Sequence, residues 1–591
     1  MTRARRWLVS LSILVAGLAG VTIPAQAASI TKSGYITMAD GVKLRYTLAL
    51  PANSGRFPVL MTYNPYDAGY EVSWPRMQAD GFAVLGVNMR GTGCSGGKLD
   101  LWSQQAGPDG ATAVEWAARQ PWSNGHVGMF GQSYSGISQL YVAAHHPKGL
   151  DAIAPGHVIS DLYRDTAYPG GIPMEVFGDY SLILQSKRSY GRSSVALAQG
   201  DATCARNIVQ RADRPVGLGL DTDNAPFIDS PGFAWQARSP DVGLSRIAVP
   251  TLNVRAWQDE EVGPRASYVL ESVPSKLLWS VQTNGSHDHP YWDLNAIQQT
   301  LERFFMHFVK GRDNGWEHTP RFQILHEVGD GQPRWVTGYA QWPPPSTPWS
   351  LWFGAGGRLN RSTPGAAERG DRYAYPMPSP DVPGNDQVSQ EFADRWRGWD
   401  APPTPGGSVV FTTPRLAHDA EILGSSSVEL WLQSTATDTD LQVTLSEVRS
   451  DGQEVYLQRG WLRASHRKED PTHSTLLRPL HTDTRADAQP LVPGQPTKMR
   501  VELFPLDHVF RAGSALRITI DAPTGSTGDW LFNFLKTPAV NTILHDAQHP
   551  SRLVLPLVAG QAQKPYPACG HVDSEPCRKN TTPVPAGSLV P

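Results

Sequence analysis

The sequence predicts an α/β fold built on a largely parallel sheet, followed by an all-β sandwich. Three observations predict it. Between residues 58 and 310, short apolar runs alternate with segments of helical period, which is the pattern of a parallel sheet with helices on both faces. Beyond Pro343-Pro344-Pro345 the helical period gives way to two-residue alternation. Within the first region lies Gly128-Met129-Phe130-Gly131-Gln132-Ser133-Tyr134-Ser135-Gly136, which reads as a buried strand, a tight turn and a helix start. Such a turn lifts a serine hydroxyl above a sheet edge, and its small residues let strand and helix pass closely.

Length and composition bound the answer. A chain of 591 residues is too long for one core and implies two or three domains. The net charge is −3 and no basic run or stripe is present, so a nucleic-acid partner is not expected. Fifty Pro, 55 Gly and 19 Trp fit a loop-rich protein with a large β component, without naming a substrate.

Residues 1–27 read as a signal peptide. Arg3, Arg5 and Arg6 precede the apolar run Trp7 to Ile23, and Ala25-Gln26-Ala27 is a small-x-small cleavage signal. The alternative is an N-terminal anchor, but the run is short for a span. Arg5-Arg6 before Trp7-Leu8-Val9 weakly resembles a twin-arginine export signal. Cleavage would leave a net charge of −6 and a secreted or periplasmic protein with no stable membrane insertion. Export favours disulfides over free thiols. Cys569 and Cys577 lie close together in a Pro-rich tail and are expected to pair, leaving Cys94 with Cys204. A zinc site is the alternative, but no C-x-x-C or suitably spaced His pair supports it. No metal or cofactor is therefore expected.

In chain order, Asp40-Gly41 between two alternating runs signals a hairpin. Pro58–Tyr63, Phe82–Val87, Val127–Phe130 and Ala152–Ala154 read as strands, with helices over Asp109–Arg119 and Ser135–His146. From about 157 to 245 the pattern turns irregular, with Gly170-Gly171 and a candidate helix at Ser181–Ser186. This is expected to be a cap inserted after a sheet strand, or else plain loop-and-helix decoration. The sheet pattern resumes at Thr251–Arg255 and Lys276–Val281, and residues 294–310 read as an amphipathic helix. The sandwich strands centre on Val428-Leu430-Leu432, Leu441-Val443-Leu445, Leu516-Ile518-Ile520 and Leu553-Leu555-Leu557. The expected organisation is a domain over 28–345, a sandwich over 346–560 and an extended tail over 561–591.

A serine hydroxyl is a weak nucleophile and needs a base, which in turn needs an orienting carboxylate. Asp259 follows the Thr251–Arg255 strand, and His287 follows the Lys276–Val281 strand. Catalysis in open parallel sheets sits at the carboxyl ends of strands, so Ser133, Asp259 and His287 would meet at one rim. Asp259 competes with Glu260 and Glu261, which could be a solvated acidic run. His287 competes with His289, as a metal pair would use both. The Tyr134 amide is the first expected oxyanion donor, and the Tyr66 hydroxyl, on the loop after Pro58–Tyr63, the second. Tyr66 could instead be only a pocket-lining aromatic.

These residues resemble a known family. Tyr63-Asn-Pro-Tyr-Asp67, Arg90-Gly-Thr-Gly-Cys-Ser-Gly96, Pro121-Trp-Ser-Asn-Gly125, the Gly128–Gly136 stretch, Trp257-Gln-Asp259 and Gly285-Ser-His287 look like the cocaine esterase and X-prolyl dipeptidyl peptidase family, which also holds α-amino acid ester hydrolases. The resemblance implies an α/β-hydrolase domain with an inserted helical cap and a C-terminal jelly roll. It also implies Ser133 as nucleophile, Asp259 and His287 completing a triad, and Tyr66 with Tyr134 as oxyanion hole. The substrate would be a small ester, amide or short peptide. Relatives acting on free amines hold the ammonium with a cluster of acids, and the amino acid ester hydrolases place two of them two and three residues after the triad aspartate. Here those positions are Glu261 and Val262, and Asp165 is a candidate for another carboxylate. The expectation is therefore an ester or amide hydrolase, with an X-prolyl dipeptidyl peptidase or amino acid ester hydrolase as alternative. A glycan-binding protein with an inert hydrolase domain is the alternative from another class. Oligomeric state is not legible.

Overall fold

The computed structural model describes residues 30–591 apart from 67–71, 73, 175–195, 198, 213–224, 288, 366–368, 377–398, 400–403, 524–529, 531 and 559–563. The signal peptide expected at 1–27 and the helix expected at Ser181–Ser186 lie outside the described residues.

The N-terminal half forms a ten-stranded sheet in the order β1-β2-β4-β3-β5-β6-β7-β8-β9-β10. The strands are β1 (Ile30–Thr37), β2 (Lys43–Leu50), β3 (Phe57–Asn64), β4 (Ala83–Asn88), β5 (Ser123–Gln132), β6 (Leu150–Gly156), β7 (Thr251–Ala256), β8 (Leu278–Thr283), β9 (Phe322–His326) and β10 (Trp335–Tyr339). From β4 through β9 every neighbour is parallel, while β1–β2 and β9–β10 are antiparallel hairpins at the two edges. The Asp40-Gly41 turn closes the first hairpin, and the Met38 amide reaches the Val42 carbonyl at 2.7 Å. The final hairpin, β9 and β10, is not anticipated by the sequence reading, because each strand has only five residues and β10 alternates as a half-exposed edge.

Both faces of this sheet are covered, as a parallel sheet requires. Met61, Tyr63, Val127 and Met129 pack with Val114, Ala117, Ile137 and Leu140 from the helices Ala106–Ala118 and Tyr134–Ala143. Leu60, Phe130, Ala154, Val254 and Val281 pack on the opposite face with Leu301, Phe304 and Phe305 of the helix Asn295–Phe308. The first helix begins three residues before the expected Asp109. Pro108 falls in its first turn, where the missing N–H has no intrahelical partner to lose. The segment between β6 and β7 includes the turn Tyr163–Ala167 and the helices Ala202–Ala212, Trp235–Arg238 and Asp241–Leu244. Cys94 and Cys204 form a disulfide that ties the loop after β4 to the first of these helices.

The C-terminal half is a twelve-stranded antiparallel-rich sandwich. Its strands Gln453–Arg463 and Thr497–Phe510 do not pair in register, yet a Cβ added at Gly460 would lie 1.8 Å from the Glu502 carbonyl oxygen. Only glycine permits that approach of two backbones. The tail, expected to be extended, is laid onto the sandwich where it is described. Cys577–Lys579 pairs antiparallel with Gln453–Val455, and Ser588–Leu589 pairs parallel with Arg415–Leu416. Open strand edges present unpaired amides and carbonyls, and the tail satisfies them. Cys569 and Cys577 form the second disulfide. No helix of the described residues is long and apolar enough to cross a membrane.

Candidate active site

Ser133 stands between β5 and the helix Tyr134–Ala143, with φ 57° and ψ −133°. That left-handed conformation is costly for a non-glycine residue and is held by its surroundings. The Ser133 amide donates to the Gly156 carbonyl at 3.0 Å, and the Ser133 carbonyl accepts from Gly136 and Ile137 at 2.9 Å. A Cβ on Gly136 would lie 2.4 Å from the Gly156 carbonyl oxygen, so helix and β6 meet there only because position 136 is glycine. Tyr291 adds a brace that the sequence reading missed. Its hydroxyl accepts from the Gly131 amide at 3.0 Å and donates to the Ala154 carbonyl at 2.9 Å, joining the ends of β5 and β6.

Asp259 and His287 leave the carboxyl ends of β7 and β8 and meet. His287 Nδ1 lies 3.0 Å from Asp259 Oδ1 and 3.1 Å from Oδ2. Two hydrogen bonds zip the loops together, a backbone bond from the Trp257 amide to the Thr283 carbonyl at 2.9 Å and one from the Gly285 amide to the side-chain Gln258 Oε1 at 3.0 Å. Asp259 Oδ1 also accepts from the Glu261 and Val262 amides at 3.1 Å. Burial alone would raise the Asp259 carboxyl, but His287 first, and then His157, hold it far below the ordinary carboxylate range. Asp259 is therefore an ionised acceptor that fixes the imidazole. The first two acids of the run are buried, Asp259 at 2% and Glu260 at 1% exposed, and only the Glu261 side chain reaches solvent. Glu260 Oε2 instead accepts from the His287 amide at 3.1 Å.

Tyr66 comes from the loop after β3, and its hydroxyl lies 3.1 Å from Ser133 Oγ. Two asparagines hold that loop. Asn64 Oδ1 accepts from the Tyr66 amide at 3.0 Å while its Nδ2 donates to Ser135 Oγ at 2.9 Å. Asn88 Nδ2 donates to the Tyr66 carbonyl at 2.7 Å. The Tyr134 amide opens the helix after Ser133, where no intrahelical carbonyl precedes it. The Tyr134 ring is buried, and its hydroxyl accepts from the Trp102 amide at 2.6 Å.

The two carboxylates considered for substrate binding part company. Glu261 Oε2 lies 3.4 Å from His287 Nε2, and its side chain is 38% exposed. Asp165 is fully buried, and its Oδ2 accepts from the Ser160 amide, the Ser160 hydroxyl and the Asp161 amide. Its other oxygen faces Arg265 at 3.6 Å, and burial pushes the carboxyl above its ordinary value. The structure thus gives Asp165 to its own loop, correcting the expectation of a ligand-facing acid. Short-range loop capping occupies its Oδ2, and Arg265 faces its Oδ1, where a sequence pattern suggested a pocket.

The sandwich reaches this site directly. Gln458 Nε2 donates to the Trp257 carbonyl at 2.8 Å, and Gln258 Nε2 donates to the Leu457 carbonyl at 3.2 Å. The loop that carries Asp259 is therefore clamped from the second half of the chain. Two groups have the donor types of a metal site, His157-Asp259-His287 and His326-Glu421-Asp507. In the first, both imidazole Nδ1 atoms lie at hydrogen-bond distance from Asp259, which accounts for the convergence. In the second, His326 Nδ1 lies 2.6 Å from Asp507 Oδ2, and burial, then the Asp507 charge, push Glu421 up to about 7.

A strained elbow carrying a hydroxyl, an imidazole held by a buried carboxylate, and a second hydroxyl beside the first, all on one rim of a parallel sheet, define a serine hydrolase of the α/β-hydrolase class. Residues 40–289 match the X-Pro dipeptidyl-peptidase (S15) family, and residues 314–554 match the X-Pro dipeptidyl-peptidase C-terminal non-catalytic domain. The two matches lie one in each half of the chain, which is similar to this family of hydrolases along most of its length. It is 25% identical to the cocaine esterase of Rhodococcus sp. over 90% of this chain and 99% of that one. A CocE/NonD family hydrolase from Staphylococcus aureus superimposes with a TM-score of 0.70 at 22% identity, covering 90% of this chain and 94% of that one. A selenomethionine-labelled α-amino acid ester hydrolase superimposes with a TM-score of 0.71 at 20% identity, covering 93% of this chain and all of that one. These two likenesses speak to the fold.

Proposed function

We propose that this protein is an exported serine hydrolase that cleaves carboxylic ester or amide bonds through an acyl-enzyme. The observation that carries the reading is the His287–Asp259 pair at 3.0 Å on the same rim as the Ser133 elbow. Ser133 Oγ attacks the substrate carbonyl carbon and His287 takes its proton. The tetrahedral oxyanion accepts from the Tyr66 hydroxyl and the Tyr134 amide. Collapse expels the alcohol or amine, which leaves with the proton from His287. Water then repeats the steps against the acyl-Ser133 ester and regenerates the enzyme. Two disulfides and the charged-apolar-small pattern of residues 1–27 support export. The test is labelling by a fluorophosphonate probe together with hydrolysis of a short-chain ester. Both are expected in wild type and absent in Ser133→Ala. A wild type that neither labels nor hydrolyses overturns the reading.

A second reading rests on Glu261, a half-buried carboxylate 3.4 Å from His287 Nε2. It would suit a substrate with a free α-amine, as in X-prolyl peptides or aminoacyl esters. A preference for the free amine over its N-acetylated form that is lost in Glu261→Gln supports it. Equal rates on both substrates remove it.

A further inference from the structure

Asp259 carries two imidazoles, and the reaction as described uses one. His157 Nδ1 lies 3.1 Å from Asp259 Oδ2, the oxygen that His287 Nδ1 also approaches at 3.1 Å. The His157 ring stands edge-on to His287, with centroids 5.6 Å apart and planes at 86°. It is 1% exposed and follows β6 directly. Its backbone takes φ 49°, and its amide donates to the Val254 carbonyl at 2.8 Å. The preceding residue, Gly156, supplies the carbonyl that holds the Ser133 amide. One backbone junction therefore sets both the nucleophile and the second imidazole.

An ionised carboxylate only accepts hydrogen bonds, so each Nδ1 facing Asp259 presents an N–H. Every donor on the carboxylate spreads its charge and weakens its pull on a proton at His287. Other groups act in the opposite sense. Glu260 Oε2 accepts from the His287 amide at 3.1 Å, and Glu261 Oε2 sits 3.4 Å from His287 Nε2. Both negative charges favour a protonated His287.

We infer that His157 is a positioning residue of this hydrolase: its Nδ1–H locks the Asp259 carboxylate and offsets Glu260 and Glu261, keeping His287 in its proton-accepting form to lower pH. The inference rests on the hydrolase reading above and goes beyond it.

The experiment compares kcat/KM against pH for a short-chain ester in wild type, His157→Leu and His157→Asn. Loss of the donor in His157→Leu is expected to move the acid limb upward by about half to one pH unit, a roughly 3- to 10-fold loss of rate below the limb. The alkaline plateau is expected to change little. Asn places an amide N–H near the position of Nδ1 and is expected to return most of the shift. An unmoved limb in His157→Leu, or an Asn variant that behaves like Leu, overturns the inference. Should His157→Leu not fold, the low-field proton spectrum decides. Two imidazole N–H resonances in wild type, with one lost in His157→Asn, support it; a single resonance, or two that persist in His157→Asn, overturns it. This spectrum needs no turnover, so it judges His157 separately. Ester hydrolysis that survives Ser133→Ala would instead fault the hydrolase reading.

Discussion

The hydroxyls of Tyr66 and Ser133 lie 3.1 Å apart, and Tyr66 is held there by bonds at both its amide and its carbonyl. A donor fixed in this way is worth most where charge develops, because no reorganisation is needed during the reaction. Tyr66→Phe is expected to lower kcat by about 100- to 1000-fold with a much smaller change in KM. Steady-state kinetics on a short-chain ester measure both, and a change confined to KM would make Tyr66 only a pocket wall.

Asn64 bridges the two parts of this arrangement. Its oxygen holds the Tyr66 amide, and its nitrogen holds the Ser135 hydroxyl. Asn64→Ala removes two hydrogen bonds from this cluster, which costs about 1–3 kcal/mol of stability. Because Tyr66 also loses its anchor, kcat is expected to fall by about 10-fold or more. Chemical denaturation paired with kinetics checks both. A variant that is destabilised but fully active would show that Asn88 alone positions Tyr66.

Gly136 is expected to tolerate no side chain. Alanine there would put a methyl 2.4 Å from the Gly156 carbonyl oxygen, which is rigid backbone. The strain is expected to cost about 1–3 kcal/mol and to displace the Ser133 elbow. Gly136→Ala should therefore melt lower and label slowly with a fluorophosphonate. Wild-type labelling at an unchanged melting temperature would contradict this.

The tail provides a pH-dependent contribution to stability. His508 Nε2 lies 3.1 Å from Glu447, and its Nδ1 lies 3.7 Å from Glu575 of the disulfide-closed tail loop. Burial alone would lower the His508 pKa, but hydrogen bonds to these carboxylates push it up to about 10 from 6.5. A raised folded-state pKa contributes stability that is complete below about 6.5 and is lost as pH rises through about 10. Melting temperature is expected to fall between these limits. His508→Gln removes one partner of a buried pair, so it should melt lower at pH 7, by roughly 3 kcal/mol, and show a flatter alkaline decline. An unchanged alkaline slope would assign the decline to other groups.

The linear order of the sequence determined much of this protein. Apolar runs alternating with helical segments specify a parallel sheet, and a parallel sheet puts the carboxyl ends of β3, β5, β7 and β8 on one rim. That is why Tyr66, Ser133, Asp259 and His287 could be named from strand ends alone. Their local patterns are short-range: Gly-x-Ser after an apolar run, an acid after one strand, a histidine after the next. Short elements carried too little pattern, so β9 and β10 were missed.

Only the tertiary structure decided how the carboxylates and the second histidine are used. Asp165 is spent on amides four and five residues away, whereas Asp259 draws on His157 across a separation of 102 residues. Gln458 fixes the Trp257 carbonyl across 201 residues, so the sandwich bears on the acid loop of the site. Such contacts leave no periodicity to read, because their partners are brought together by sheet packing and loop closure rather than by spacing along the chain. The Ser133 turn is written in nine consecutive residues; the set of donors around Asp259 exists only once β6, β7 and β8 lie side by side.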